Sequence, residues 1–227
     1  MTTTAEEYWD KFYTENDLVK RDPTPFLQKM IRRLQKGKVL DVAMGEGRNA
    51  VFLAKNGFAE VKGFDISSVA IEHARALAEE NGVKIEANRT NLDLFIMGIM
   101  EYDSIVMTNF RPSTPRYYSE MIRALKQGGT VLIESFTTEE LREAIPEQES
   151  YRDYFFQSNE ILQHLKGLRI LSYNEDIVNG RHVVQCLAQK PYDKDAVKYN
   201  LFGMSTKDAD KGPSKHKQLA EALFKKQ

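Results

Sequence analysis

The residues of this chain that carry the most chemistry stand in one short run, Val39-Leu40-Asp41-Val42-Ala43-Met44-Gly45-Glu46-Gly47-Arg48-Asn49. An apolar strand that reaches Asp41 and turns through Gly45 and Gly47 into a helix gathers free amides at one point. Such amides, at the positive end of a helix, attract a carboxylate. Glycine at both positions lets a ligand approach the backbone closely. Asp41 beside them suits an ammonium group, reached through water. A second apolar run, Val61-Lys62-Gly63-Phe64-Asp65, also ends in an acid, and a carboxylate at such a strand end accepts both hydroxyls of a ribose. Structural alternatives exist for both features. A tight strand-to-helix turn needs the same glycines, and Asp65 before Ile66-Ser67-Ser68 can act as a helix cap. The glycine spacing is not GxGxxG, the pattern that sets a pyrophosphate on a helix.

Other chemistry is sparse. Cys186 is the single cysteine, so no disulfide forms within the chain, and its apolar setting reads as a buried small hydrophobe. His73, His164, His182 and His216 lack metal-ligand spacing with one another or with Cys186, so no metal is expected. The formal net charge of −1 gives no global attraction to nucleic acid. There is no apolar run of about 18 residues, the length a membrane span needs. The polar, acidic N-terminus is unlike a secretory signal, and the expected location is the cytoplasm.

These groups must be positioned by strands and helices, and the pattern is one of short apolar runs alternating with helical periodicity, which predicts a parallel sheet with crossover helices. Strands are expected at residues 38–43, 60–65, 84–88, 102–108 and 130–136. Helices are expected at 5–13, 24–34, from the glycine turn to Asn56-Gly57, and from Ser67 or Ser68 to Asn81-Gly82. A further helix is expected from Thr114 or Pro115 to Lys126, ended by Gln127-Gly128-Gly129. Short helices at 139–144 and 158–165 flank an irregular aromatic segment, 151–156. Strands at 168–176 and 181–189 are joined through Val178-Asn179-Gly180, and Asn-Gly is a strong hairpin signal. Beyond Pro191 the chain is charged and turn-rich, with one amphipathic stretch at 213–226. The expected organisation is an N-terminal helical cap (1–36), a catalytic domain (37–191) and a charged tail (192–227).

In this order the motifs resemble the class I S-adenosylmethionine-dependent methyltransferases, over roughly residues 38–191. Asp41–Gly47 resembles their glycine motif, with Ala43 in place of its first glycine, and Asp65 their ribose-binding acid. Asn91-Leu92 falls where the family sets a polar–apolar pair against the adenine. Tyr102-Asp103-Ser104-Ile105-Val106 is similar to the fourth-strand motif, and Leu125-Lys126-Gln127-Gly128-Gly129 to the L-K-P-G-G turn. Within the family, Gly45-Glu46-Gly47-Arg48-Asn49 and Leu171-Ser172-Tyr173-Asn174-Glu175-Asp176 resemble small-molecule methyltransferases of the tellurite-resistance type. The resemblance implies an α/β, Rossmann-like, seven-stranded and mostly parallel sheet with a C-terminal antiparallel hairpin and helices on both faces. It implies S-adenosyl-L-methionine as cofactor, held by Asp41, Ala43, Gly45, Gly47, Arg48, Asp65, Ile66, Asn91, Leu92 and Asn109.

The expected acceptor is a small molecule (a thiol, metalloid oxyanion, halide or amine), methylated by in-line displacement, with no nucleic acid or membrane partner and a monomeric or homodimeric chain. Its pocket is expected from Tyr8, Trp9 and Tyr13, from Asn109, Phe110 and Arg111, and from Tyr151, Arg152 and Tyr154. Arg111 and Arg181 could orient an anion, and His182 could serve as a base; Tyr8 completes the catalytic candidates. Two rivals remain: a nicotinamide-dependent oxidoreductase, and a non-catalytic sensor or scaffold of the same fold.

Overall fold

The central strands of this protein are apolar on both faces, and that composition requires cover on both sides. In the computed structural model, which describes residues 4–16, 22–92, 95–141 and 154–192, helices supply it. Seven strands form one sheet in the order β3-β2-β1-β4-β5-β7-β6. They are β1 (Lys38–Val42), β2 (Glu60–Asp65), β3 (Glu86–Arg89), β4 (Tyr102–Thr108), β5 (Leu125–Phe136), β6 (Arg169–Val178) and β7 (Arg181–Gln189). The first five are parallel, and β7 runs antiparallel to both β5 and β6.

Because side chains alternate along a strand, neighbouring residues enter different cores. Leu40, Val42, Ile105, Met107, Ile133 and Cys186 pack on one face with Tyr118 and Met121 of α5 (Arg116–Ala124). Val39, Val106, Leu132 and Leu187 pack on the other with Phe26 and Leu27 of α2 (Pro25–Met30) and Leu53 of α3 (Arg48–Lys55). Burial pushes the Cys186 thiol up to about 12, so it is a packing residue and not a nucleophile.

Local chemistry sets the ends. Thr4 and Glu7 form a reciprocal capping box at the start of α1 (Ala5–Glu15), which satisfies two otherwise orphaned amides. Ser67 caps α4 (Ser68–Glu80), its hydroxyl accepting from the Ala70 amide at 3.1 Å. Asn179 and Gly180 both take positive φ, 51° and 76°, as the two-residue turn between β6 and β7 demands.

Several boundaries differ from the sequence expectation. The helix before the Gly-Gly turn ends at Ala124, and Leu125 already pairs with Tyr102. Long-range partners decide this: Gly128 and Gly129 exchange backbone bonds with Lys190, whose ammonium also binds the carbonyls of Ile122 and Leu125. The third strand begins at Glu86 and not Lys84, because its pairing with β2 starts at Lys62↔Glu86. The expected helix at 139–144 is a 3₁₀ turn, Thr138–Leu141, as far as it is described. The C-terminal helix expected at 213–226 lies outside the described residues. Among the described residues no helix is long and apolar enough to cross a membrane.

Candidate functional site

The C-terminal ends of β1, β2 and β4 meet around the glycine turn. Ala43, Gly45 and Gly47 all have positive φ, 52°, 53° and 78°, so the chain coils back on itself between β1 and α3. The Gly45 amide donates to Asp65 Oδ2 at 2.9 Å, and the Ser67 amide to Asp65 Oδ1 at 3.0 Å. Asp65 thus ties the turn to the end of β2, and each carboxylate oxygen still has a lone pair to offer. Burial raises its pKa, against the pull of those amides. A side chain on Gly47 would strike Ala74 of α4, with the Cβ atoms 2.8 Å apart; this glycine lets two helices touch.

Asp41 is the anomaly. It is 1% exposed, and neither carboxylate oxygen makes a close hydrogen bond among the described residues; the Ala50 amide is the one backbone donor that faces it, at a geometry too poor for a full bond. Burial pushes its carboxyl up to about 7; the Arg48 charge and the Ala50 amide oppose this, and the Asp65 charge adds to it. A buried carboxyl without partners costs stability, and an ammonium brought to it would remove that cost. Glu46 is similar: one oxygen lies 2.7 Å from His73 Nδ1, and the other is buried without a partner among the described residues. A cofactor with an ammonium, a carboxylate and ribose hydroxyls therefore fits what this turn presents.

α1 covers the turn. Its Asp10 accepts from the hydroxyls of Ser67 and Ser68 at 2.6 and 3.1 Å, and Glu6 pairs with Arg89. The Tyr13 hydroxyl lies 2.8 Å from the place a Cβ on Gly45 would occupy. Burial, then the charges of Asp65 and Glu46, raise the pKa of that hydroxyl, so it stays neutral.

A second polar group lies further along the same edge. Thr108, Glu134 and Gln185 stand side by side at the ends of β4, β5 and β7, in the registers Thr108↔Glu134 and Glu134↔Gln185. The Gln185 amide donates to Glu134 Oε2 at 2.6 Å. Asn49 of α3 donates to the Thr108 hydroxyl at 2.9 Å and accepts from the Thr24 amide at 2.9 Å. Burial raises the Glu134 pKa, opposed by Gln185 and the Arg48 charge.

The structure gathers Asp41, Ala43, Gly45, Gly47, Arg48, Asp65 and Ile66 at this edge. Arg48 donates to the Asp22 carbonyl at 3.2 Å. Asn109, also at positive φ, donates its amide to the Glu134 carbonyl at 2.8 Å. Asn91 is exposed, and Leu92 packs partly buried on the α5 side of the sheet.

The expected catalytic residues have partners of their own. Tyr8 is 51% exposed. Arg111 pairs with Glu160 at 2.8 Å and lies over the Phe156 ring. Arg181 pairs with Glu140 and covers Phe136, while the His182 amide donates to Glu140 at 2.7 Å. His182 lines a cavity of about 280 Å³ beside the hairpin, with Thr137, Glu139, Glu175, Asp176 and Ile177. Tyr154 is 64% exposed, and Tyr151 and Arg152 lie outside the described residues. Sequence reasoning missed Asp10, Glu134 and Gln185. For Glu134 a signal existed: an acid inside the apolar run Val131-Leu132-Ile133-Glu134 at a strand end.

Residues 39–129 match a family model described as "Methyltransferase domain". A ribosomal protein L11 methyltransferase of Dictyoglomus thermophilum is 29% identical over 183 residues, covering 74% of this chain and 59% of that protein. A tRNA (uracil(54)-C(5))-methyltransferase of Pyrococcus abyssi is 35% identical over 96 residues, 36% of this chain and 24% of that protein. The chain thus spans less than two thirds of the curated relatives it matches. Among solved structures, TehB from Haemophilus influenzae superposes with a TM-score of 0.63 at 23% identity, covering 82% of this chain and 66% of that one. The fold is the Rossmann-like fold of methyltransferases such as TehB, and residues 39–129 are similar to the methyltransferase domain family.

These relatives overturn one expectation, that of a small-molecule acceptor with no nucleic acid. The names of the curated relatives specify a ribosomal protein and a tRNA, both macromolecules.

Proposed function

We propose that this class I methyltransferase is an enzyme that binds S-adenosyl-L-methionine and methylates a macromolecular acceptor, a ribosomal protein first among them. The observation that carries the cofactor assignment is Asp41, a buried carboxyl that makes no close hydrogen bond among the described residues, beside a turn of three positive-φ residues. When bound, the cofactor supplies a methyl group already activated on a sulfonium. Asp41 holds the ammonium, and Asp65 accepts from the ribose hydroxyls with the lone pairs its two amide bonds leave over. The coiled backbone at Gly45 and Gly47 admits the carboxylate end. Tyr13 closes over the turn and excludes water, which strengthens each of these contacts. The ribosomal acceptor rests on the relatives' names.

The test has two steps. Calorimetry should show binding of S-adenosylmethionine to the full chain, with loss of affinity in Asp65→Ala by about 1–3 kcal/mol. Label from the methyl group should then appear in purified ribosomal proteins and not in tRNA. Binding with label passing only to tRNA would replace the acceptor; no binding would remove the function altogether.

A further inference from the structure

β3 and β4 are parallel and stand on opposite sides of the pair β2 and β1. A crossover of that kind usually runs through a helix, which covers the strands it passes. Here the crossover is residues 90–101, and none of its described residues is helical. On that face Phe95 lies against Phe64 with ring centroids 4.3 Å apart, and Met97 is fully buried. Three large apolar side chains of the same crossover are left in water: Ile96 is 71%, Ile99 72% and Met100 48% exposed. Apolar residues scattered singly over a surface are ordinary, but these stand within five positions and form one patch. The patch is tied to the end of α5, where the Met100 amide donates to the Arg123 carbonyl at 3.0 Å and the Glu101 amide to the Ala124 carbonyl at 2.8 Å. The last described residues arrive at the same place. The Lys190 ammonium donates to the carbonyls of Ile122 and Leu125 at 2.8 and 2.6 Å, and the Tyr192 ring lies over Gly128. With about 3.8 Å between successive Cα atoms, the Lys190 ammonium and the Met100 amide stand within roughly 10 Å of each other, and Tyr192 within roughly 20–25 Å of the patch.

We propose that the patch of Ile96, Ile99 and Met100 is the docking surface for residues 213–226 of the same chain, which supply the cover that the β3–β4 crossover lacks. Leu219, Leu223 and Phe224 give that stretch one apolar stripe at helical spacing, with lysines on both sides of it. A stretch of this length is marginal as an isolated helix, and burying the stripe on the patch removes both apolar surfaces from water. The tether fits. About 20 residues lie between Tyr192 and Pro213, with four lysines against four aspartates and so no net charge to stretch them. A random coil of that length spans about 25 Å root-mean-square. That matches the distance to be bridged, where the effective concentration of a tethered segment is greatest and reaches the millimolar range. A second copy of the chain, offering its own segment from solution at about micromolar concentration, competes poorly with it. Charge favours the same seat: Lys38 draws Glu101 and Glu60 together beside the patch, at 2.8 and 3.9 Å, and the Glu60 side chain, 70% exposed, stays open to a lysine of the segment.

The experiment uses the full chain and has two readouts. In hydrogen exchange followed by mass spectrometry, Leu219→Asp/Leu223→Asp should speed exchange across residues 95–101 by about tenfold or more. Ile99→Asp should do the same, reciprocally, to residues 213–226. The amides of β1 and β4 should stay as protected as in the native chain, which separates undocking from a general loss of fold. For the second readout, Cys186 is buried, so a pair of introduced thiols reports alone. Ile99→Cys with Leu223→Cys should form a disulfide within one chain under mild oxidation. Leu223→Cys with Glu79→Cys should not, because α4 packs its Ile71 and Ala74 into the core on the other face of the sheet. Exchange at 95–101 that is unchanged in Leu219→Asp/Leu223→Asp would overturn the proposal, as would cross-linking to Glu79→Cys as readily as to Ile99→Cys. Disulfides that form only between chains, and increase with concentration, would overturn the seat within one chain and give the patch to a second copy.

Discussion

Replacing Asp41 by asparagine keeps the shape of the side chain and removes its titration. In the folded chain this carboxyl titrates at about 7, against about 3.9 for an ordinary aspartate. Each unit is worth about 1.36 kcal/mol, so the shift has a ceiling of about 4 kcal/mol. The sign follows from where the proton resides. Below about pH 4 both the folded and unfolded chains hold it, and there is no penalty. Between about 4 and 7 the unfolded chain ionises while the folded chain does not, and stability falls as pH rises. Above 7 the full penalty stands.

Urea unfolding of the ligand-free protein at pH 4.5, 6 and 8 should therefore show Asp41→Asn gaining on the native chain as pH rises, with the largest advantage at pH 8. Asp65 and Glu134 are raised as well, so the informative quantity is the difference between the two chains. Cofactor binding should behave oppositely. An ammonium favours ionised Asp41, so native affinity should rise with pH up to about 7, and Asp41→Asn should bind more weakly and lose that dependence. A variant that is less stable at pH 8, or whose pH slope parallels the native one, would refute the burial argument. A stabilised variant with native cofactor affinity would refute the ammonium assignment alone.

Gly45→Ala should lower cofactor affinity at least tenfold by calorimetry, because the residue is at φ 53° and its Cβ would lie 2.8 Å from the Tyr13 hydroxyl. Ala43→Gly should stabilise the protein by about 0.5–1 kcal/mol in urea unfolding, since an L-residue at φ 52° pays about 1–2 kcal/mol and glycine returns part of that as entropy. Gly180→Ala should lower the stability by about 1 kcal/mol, read as a drop in Tm, because the turn between β6 and β7 needs a positive φ at that position.

The frame was legible where it is written locally. Both acids, Asp41 and Asp65, end apolar runs that became β1 and β2, Ser67 became the cap of α4, and Asn179-Gly180 became the hairpin turn. The seven-stranded sheet with its antiparallel end followed from these signals and the family resemblance. What was not legible depends on partners far along the chain. Leu125 reads as helical until Tyr102 is beside it. Asp10 reads as a solvated helix residue; it binds Ser67 and Ser68, 57 and 58 positions away. Glu134 and Gln185 are 51 residues apart, and only the β5–β7 register reveals them as a pair. The partners of the arginine candidates were hidden for the same reason: Arg111 and Arg181 find carboxylates, Glu160 and Glu140, that local spacing does not announce.

α1 has a consequence for exchange. It contains no buried residue and is held to the rest of the chain chiefly by Asp10, Glu6 and Tyr13. A helix of 11 residues is marginal on its own, so its amides open at little free energy compared with those of β1 and β4 in the sheet centre. Hydrogen exchange should find α1 among the least protected elements of the chain, and a ligand seated under Tyr13 should slow it, while leaving the sheet unchanged. A ligand that leaves the glycine turn past Tyr13 should then do so at a rate that follows the opening of this helix, and not that of the sheet beneath it.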